Sequence, residues 1–441
     1  GGNGRGGLET CRTFDRRRRQ SRAPLKQTRT FCGLIACVLP DPSYYDSPAS
    51  MNILLVSAMF PPIRTGTSYY SRNLAEALAA RGHQVRIVTL ENEDAGWEDV
   101  RFPVERLPAL HFPVKNYFKH FRIASLWPSN YRRLKEIAVA HKAEVIFLVN
   151  HYLDIVFPAI YASQKLGIPL VCSVGTQLQS LRHSRNAILN IGDRLICGQF
   201  VFPFCKRVVA WDSQILAYLR DVQGRRVVAK TRIVNFGPNG DCRALLAQEH
   251  DYSFHGQLVG VGSVTEQRSF VPLIRAFKQV ADRFPGVTLK IIGHVYYDAA
   301  VQEAAALGLN DRVVFTGEQT HEDVLEEMQR SDAYFVSLTG RYVGLGTATL
   351  EAMMLGVPVV ANVPLDLLGS VMLKDMEHIV QCDGLVTETI AARIGELLAD
   401  QGLRRTVGRG GREFVKENLN WEKVAEDMEH LLTEVCNEAK L

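Results

Sequence analysis

The chain has 441 residues, of which 46% are hydrophobic, 22% charged and 9% aromatic, so it can bury sizeable cores and has the length of two domains at roughly 100–200 residues each. The formal charge of +4 resides in residues 1–50, with nine basic and four acidic side chains; the remaining 42 basic and 43 acidic residues exclude a nucleic-acid binder that works by bulk charge. No apolar run reaches the ~18 residues of a membrane span, and the nine cysteines, lacking Cys-x-x-Cys or paired metal spacing, read as reduced, buried thiols of a cytoplasmic protein.

Residues 1–50 are rich in Gly, Arg, Pro and Ser without strand or helix periodicity, and read as a disordered or non-native extension, with Met51 as the working start. From Met51 the pattern changes. Asn52–Ala58 has the composition of a buried strand, Met59–Ser68 is a loop, Tyr69–Arg81 repeats apolar residues at helical spacing, and Gly82 stops it before the strand Gln84–Leu90. A strand–helix–strand unit of this kind implies a parallel sheet. The alternation continues with strands Glu144–Val149, Pro169–Val174, Arg207–Ala210 and Arg232–Asn235, and helices Leu153–Leu166, Ser180–Ile196 and Gln214–Val222. Arg106–Lys135 stands apart: it has seven basic residues, six aromatics and no acid, a composition suited to an anionic membrane surface or to a solvated face over a local core.

The turn-rich segment between Asn235 and Phe254 reads as a linker. A second series follows: strands Gln257–Val261, Thr288–Ile292 and Val313–Thr316, with helices Phe270–Arg283, Ala299–Leu307 and His321–Arg330. Next comes SDAYFVSLTGRYVGLGTATLEAMMLGVPVVA, from Ser331 to Ala361, which reads as strand, glycine-rich turn, helix, glycine stop and strand. Gly340, Gly344 and Gly346 let the backbone approach a ligand, or equally are structural glycines of the turn, and the helix opening at Thr347 offers unpaired N–H groups and a partial positive charge suited to phosphate. Glu351, one turn further in, is placed to hold a pair of ribose hydroxyls. Leu385–Asp400 and a terminal helix, Trp421–Ala439, complete the chain. The whole reads as two α/β domains, 51–240 and 250–441, with a ligand site beyond the carboxyl ends of their strands. His151, after a strand end on that side, is a candidate for contact with sugar or phosphate, and equally a plain loop histidine. His83, in the helix-stop turn, reads as structural.

Over Met51–Leu441 these residues resemble the retaining glycosyltransferases of the GT-B fold, family-4 type (glycosyl transferases group 1). The likeness is carried by MNILLVSAMFPPIRTGTSYYSRNLAEALAARGHQVRIVT, then by VGSVTEQRSFVPLIRAF, LKIIGHV, RVVFTGE, GLGTATLEAMMLGVPVV and NLNWEKVAEDM, in that order. The resemblance implies an N-terminal acceptor-binding domain, a C-terminal domain binding the nucleotide sugar, and a terminal helix crossing back onto the first domain. Gly66, Thr67 and their loop would then lie near the donor diphosphate, with Gly344, Leu345, Gly346 and Thr347 offering backbone N–H groups to it. Glu351 would bind the ribose, Gly293 and Phe315–Glu318 would flank the base, and Arg268 would stand where the family usually has a diphosphate-binding lysine. Three positions depart from the pattern: Val343 replaces the first Glu of Glu-x7-Glu, Ser263 an arginine, and Gly175 a histidine.

The implied reaction is transfer of a sugar from a nucleoside diphosphate to an acceptor hydroxyl, with retention and without a metal or other cofactor. The implied acceptor is a lipid-linked or cell-surface glycan precursor, and the implied location the cytoplasm, with peripheral membrane contact through residues 106–135. A nucleotide-sugar epimerase of the same fold, and a non-catalytic or partner-activated relative, remain open as alternatives.

Overall fold

The computed structural model describes residues 50–440 apart from 64, 93–101, 112–120, 179–185, 240–247, 267, 337–341, 343 and 383. The chain divides into Gly1–Pro48 and Ala49–Leu441, and every described residue belongs to the second unit. Residues 1–49 of the expected N-terminal extension, Gly340 and Val343 lie outside the described residues.

The first half carries strands β1 (Asn52–Ser57), β2 (Gln84–Leu90), β3 (Val104–Leu107), β4 (Leu110–His111), β5 (Arg122–Ile123), β6 (Val145–Val149), β7 (Leu170–Val174), β8 (Arg207–Ala210) and β9 (Thr231–Ile233). The second carries β10 (Gln257–Val261), β11 (Thr288–Ile292), β12 (Val313–Gly317), β13 (Ala333–Val336), β14 (Val359–Ala361) and β15 (Val380–Gln381). The first sheet runs β3-β2-β1-β6-β7-β8-β9 and the second β12-β11-β10-β13-β14-β15, while β4 and β5 form a separate antiparallel pair. Every pairing inside the two large sheets is parallel. Strands such as β6 (VIFLV) and β7 (LVCSV) are buried along their whole length because helices cover both faces.

In both sheets the order reverses beside the first strand, between β1 and β6 and between β10 and β13. A doubly wound sheet binds its ligands outside the carboxyl ends of the strands at such a switch point. One apolar cluster joins the halves: it runs from Ile53, Leu55 and Phe147 through Trp211 and Phe236 to Tyr334, Leu350 and Met428.

The terminal helix, Trp421–Lys440, crosses back onto the first domain. Its Glu429, 2% exposed, receives the Arg81 guanidinium and lies 3.0 Å from His83 Nε2. The Met51 N–H donates to His83 Nδ1 at 3.2 Å, so the ring proton is on Nε2, facing the carboxylate. Arg207 pairs with Glu434 and Glu438 further along, and Trp421 Nε1 donates to the Pro238 carbonyl at 2.6 Å. His83 is thus a structural link.

Several elements differ from the pattern expected in the sequence. The helix expected over Ser180–Ile196 is described over Asn186–Phe200, and a helix over Gln401–Asn418 follows Thr387–Ala399 directly. The described residues of Arg106–Lys135 do not present a continuous basic surface. Arg106 donates to the Pro61 carbonyl, Arg122 is buried and bonds Asn92, and Arg132 and Arg133 lie near Glu136 and Glu105; Lys115 and Lys119 are outside the described residues. The large exposed apolar side chains instead gather on the helix Asn186–Phe200: Ile188, Ile191, Leu195, Ile196 and Phe200, each more than half exposed.

Candidate active site

The helix Gly66–Ala80 opens at the end of the loop after β1, with Thr65 Oγ1 accepting from the Ser68 N–H at 3.2 Å. Its first residue faces the second domain: a Cβ on Gly66 would lie 4.0 Å from Thr347 Oγ1. Thr347 starts the helix Thr347–Leu355, whose N-cap, Gly346 at φ 76, supplies no side-chain hydrogen bond. Two helix N-termini therefore converge across the cleft, and the second keeps the first-turn N–H groups of its backbone uncapped. Two partial positive ends brought this close are suited to an anion.

Asn150 supports this end of the first sheet. It sits after β6 in the left-handed region at φ 67, a conformation asparagine tolerates better than most residues. Its Nδ2 donates to Thr67 Oγ1 at 3.0 Å, and its Oδ1 accepts from the Gly175 N–H at 3.4 Å. Gly175 cannot carry a side chain, because a Cβ would come within 2.5 Å of the Trp211 ring. The Trp211 indole, held by its Nε1 donating to Ser173 Oγ at 2.8 Å, fills the space beside the position where the resembled pattern has histidine.

On the second-domain side Gly262, Gly293 and Gly317 lie at the ends of β10, β11 and β12, at φ 131, 145 and 74. The Gly293 N–H donates to the Gly317 carbonyl at 2.9 Å, and a Cβ on Gly293 would overlap the Gly262 carbonyl. This bare backbone forms a flat wall that a planar ring can approach. The Arg268 guanidinium lies against Gly262, half-buried and with no carboxylate partner among the described residues. Burial pulls its pKa down, with Tyr334 opposing, and from so high a starting value the group stays a cation. Tyr334, on β13, is pushed up to about 12 by burial, and Thr349, Arg268 and Glu351 all act on its hydroxyl. It therefore joins the Arg268 corner to the helix that carries Glu351.

Glu351 is 5% exposed and its Oε1 accepts from His321 Nε2 at 3.0 Å. The His321 ring also lies 6.1 Å from the Tyr69 ring of the first domain. Glu318, just after β12, is exposed at the same end of the sheet. Leu345 anchors the glycine-rich turn in the core, 5% exposed, while Gly344 packs its backbone directly on Asp212 Oδ2. Burial pushes the Asp212 carboxyl up to about 6, although the Ile215 N–H donates to it at 2.8 Å. Tyr342 donates to Asp221 at 2.6 Å, so the turn before Thr347 rests on the first domain at two points.

Most expected site residues thus come together: Gly66, Thr67, Gly344, Gly346 and Thr347 around the paired helix ends, Arg268 and Gly293 at the adjoining strand ends, and Glu351 one turn into its helix. His151 does not join them. It is fully buried, stacked on Phe202 at 5.2 Å, with Nε2 3.2 Å from Tyr218 Oη and 3.2 Å from Asp193 Oδ1. The physical reason is the turn at Asn150, which gives the amide the position toward the cleft and sends the imidazole behind the sheet end. A catalytic contact with sugar or phosphate, one of the two readings of His151 in the sequence, does not fit this fully buried position. Asn150, Tyr334, His321 and Asp212 are the functional-side residues that motif reading misses.

The family model described as "Glycosyl transferases group 1" matches residues 256–414, and that described as "Glycosyl transferase 4-like domain" matches residues 65–237. The chain belongs to the group 1 glycosyltransferases. This glycosyltransferase is 28% identical over 192 residues to a GDP-mannose-dependent alpha-(1-6)-phosphatidylinositol monomannoside mannosyltransferase of Mycolicibacterium smegmatis, a match covering 42% of this chain and 50% of that protein. It is 25% identical over 409 residues to the D-inositol 3-phosphate glycosyltransferase of Salinispora tropica, covering 82% of this chain and 80% of the relative. Among solved structures, sucrose-phosphate synthase from Thermosynechococcus elongatus superposes with a TM-score of 0.63 at 21% identity, covering 88% of this chain and 99% of that one. HepE of Anabaena in complex with UDP gives 0.64 at 16% identity, covering 87% and 100%. The architecture of the glycosyltransferase is the GT-B fold.

Proposed function

We propose that the protein transfers a sugar from a nucleoside-diphosphate sugar to an acceptor hydroxyl with retention of configuration, and without a metal at the donor. The observation that carries this reading is the convergence of the helix ends at Gly66 and Thr347, with Arg268 and Glu351 beside them. The bond from the sugar to the diphosphate oxygen breaks and a bond to the acceptor oxygen forms, so the charge to be stabilised develops on the departing diphosphate. Fixed N–H groups and one guanidinium, held in a cleft that excludes water, stabilise that charge without reorganising. Glu351 holds the ribose hydroxyls, and its contact with His321 fixes the carboxylate orientation. The Gly262–Gly293–Gly317 wall takes the base. Contacts of the 342–346 turn with Asp212 and Asp221 close the domains over the donor.

The acceptor in this reading is a lipid-linked glycan precursor at a membrane surface reached from the cytoplasm. Among the described residues no helix is long and apolar enough to cross a membrane. The exposed apolar row on Asn186–Phe200, with Arg194 in it and its one acid, Asp193, turned inward, offers a peripheral contact. A relative whose name specifies a phosphatidylinositol mannoside acceptor supports a lipid-bearing substrate.

Titration calorimetry with uridine, guanosine and adenosine diphosphates tests the donor site. Glu351→Ala is expected to weaken binding by roughly 1.5–3 kcal/mol through lost charge-assisted hydrogen bonds. Arg268→Ala is expected to weaken it and to flatten its dependence on salt. Undiminished binding in both variants would place the nucleotide elsewhere. The anomeric configuration of the product, read by NMR against that of the donor, tests retention.

A further inference from the structure

His151, Asp193 and Cys197 are all buried, and one ligand atom from each lies within 4.8 Å of the others. Asp193 and Cys197 stand four residues apart on the helix Asn186–Phe200 and so share a face, while His151 enters from the end of β6. Tyr218, itself fully buried, brings its hydroxyl to within 3.2 Å of His151 Nε2 and donates to Asp193 Oδ2. Gln223 Nε2 donates to the same oxygen at 2.7 Å.

The other Asp193 oxygen is different. Oδ1 lies 3.2 Å from His151 Nε2 with no donor aligned to it, while Nε2 is hydrogen-bonded to the Tyr218 hydroxyl and the Cys197 thiol is directed at the His151 carbonyl at 3.4 Å. Buried polar atoms at contact distance ordinarily aim at one another, because an unmade bond there costs the full desolvation of the group. Here a sulfur ligand from Cys197 stands beside the pair, so the three groups are placed like neighbours on a coordination polyhedron. With metal–nitrogen and metal–oxygen bonds of about 2.0 Å, a tetrahedral edge is about 3.3 Å.

We propose that His151, Asp193 and Cys197 bind one zinc ion, with the Tyr218 hydroxyl as the fourth neighbour. The mixed nitrogen, oxygen and sulfur set suits zinc, and four protein donors with no exposed position make the site structural and not hydrolytic. On binding, Cys197 gives up its thiol proton to solvent and coordinates as thiolate. The ion would tie the helix Asn186–Phe200 to the end of β6 and to Tyr218, holding the helix with the exposed apolar row against the first sheet. The site lies behind the strand end and takes no part in sugar transfer, so this inference stands apart from the donor-site reading.

The test uses the full chain, purified without a metal-binding tag. Elemental analysis by plasma mass spectrometry is expected to find one zinc per chain in the wild type and none in Cys197→Ala, with unchanged nucleoside-diphosphate binding in both. After removal of zinc by a chelator, cobalt(II) is expected to restore the melting temperature and to give a thiolate-to-metal charge-transfer band that Cys197→Ala lacks. Wild-type protein with no stoichiometric zinc and no cobalt–thiolate band overturns the proposal, as does zinc retained unchanged in Cys197→Ala. Should that variant fail to fold, the cobalt spectrum of the wild type decides alone.

Discussion

His250 shows how one buried residue sets a property of the whole chain. It is 4% exposed, its Nδ1 has no hydrogen-bond partner, and it packs on Tyr252 with ring centroids 4.9 Å apart. Burial lowers its pKa to about 4, His255 adds to the shift, and Asp251, Asp332 and the Gln329 backbone oppose it. The unfolded chain, at an ordinary value near 6.5, therefore takes up a proton before the folded one does. Stability associated with neutral His250 is present above pH ~6.5 and is lost as the pH falls through about 4, in total of order 3 kcal/mol. Urea unfolding at pH 7 and pH 5 is expected to show a loss that His250→Phe reduces. An equal loss in that variant would assign the acid sensitivity to other groups. Asp212 works in the opposite sense: its carboxyl, raised to about 6, costs least when protonated, so acidification below that value favours its buried place against Gly344.

Among the elements, the central strands are legible in the sequence because both of their faces are buried, and VIFLV or LVCSV has no other reading at that length. The helix Thr347–Leu355 is legible because Gly346 and Gly356 mark its ends. The helix Gln401–Asn418 is hidden by Gly408, Gly410 and Gly411, which by propensity argue against a helix. Their use is tertiary: a Cβ on any of the three would press on the carbonyl of Gly356, Glu377 or His378. Asn150, His321 and Tyr334 belong to the same class, since each acquires its role from a partner 83, 30 or 15 residues away. In the proposed function the membrane contact lies on the helix Asn186–Phe200, and not on Arg106–Lys135, one of whose two readings in the sequence is such a surface. Ile191→Glu with Leu195→Glu is expected to lower co-sedimentation with lipid vesicles at least about tenfold, given ~1.5–3 kcal/mol for burying each such side chain in full. Because the contact is chiefly apolar, binding should weaken little between low and moderate salt. Unchanged recovery of the double variant would remove this helix from the contact.

At the scale of the molecule, the two sheets are joined by a shared core and by the terminal helix, and that helix is held at a buried carboxylate. Glu429 faces Arg81, 28% exposed, and His83, whose pKa burial lowers while Glu429 raises it. Removing the carboxylate leaves a guanidinium and an imidazole without their acceptor at the seam between first domain and crossing helix. Breaking a buried pair in this way costs about 3–5 kcal/mol, and because Arg81 can turn partly to water the lower end applies here. Glu429→Gln keeps the shape and one acceptor, so it is expected to cost less than Glu429→Ala. The measurement is equilibrium unfolding in urea of both variants beside Glu434→Ala, whose side chain is 48% exposed and whose pair with Arg207 should be worth under about 1 kcal/mol. If the helix also fixes how the domains meet, Glu429→Ala should in addition weaken nucleoside-diphosphate binding, although no part of Glu429 touches the donor cleft. Loss of stability without loss of binding would show that the shared core alone sets the interdomain geometry.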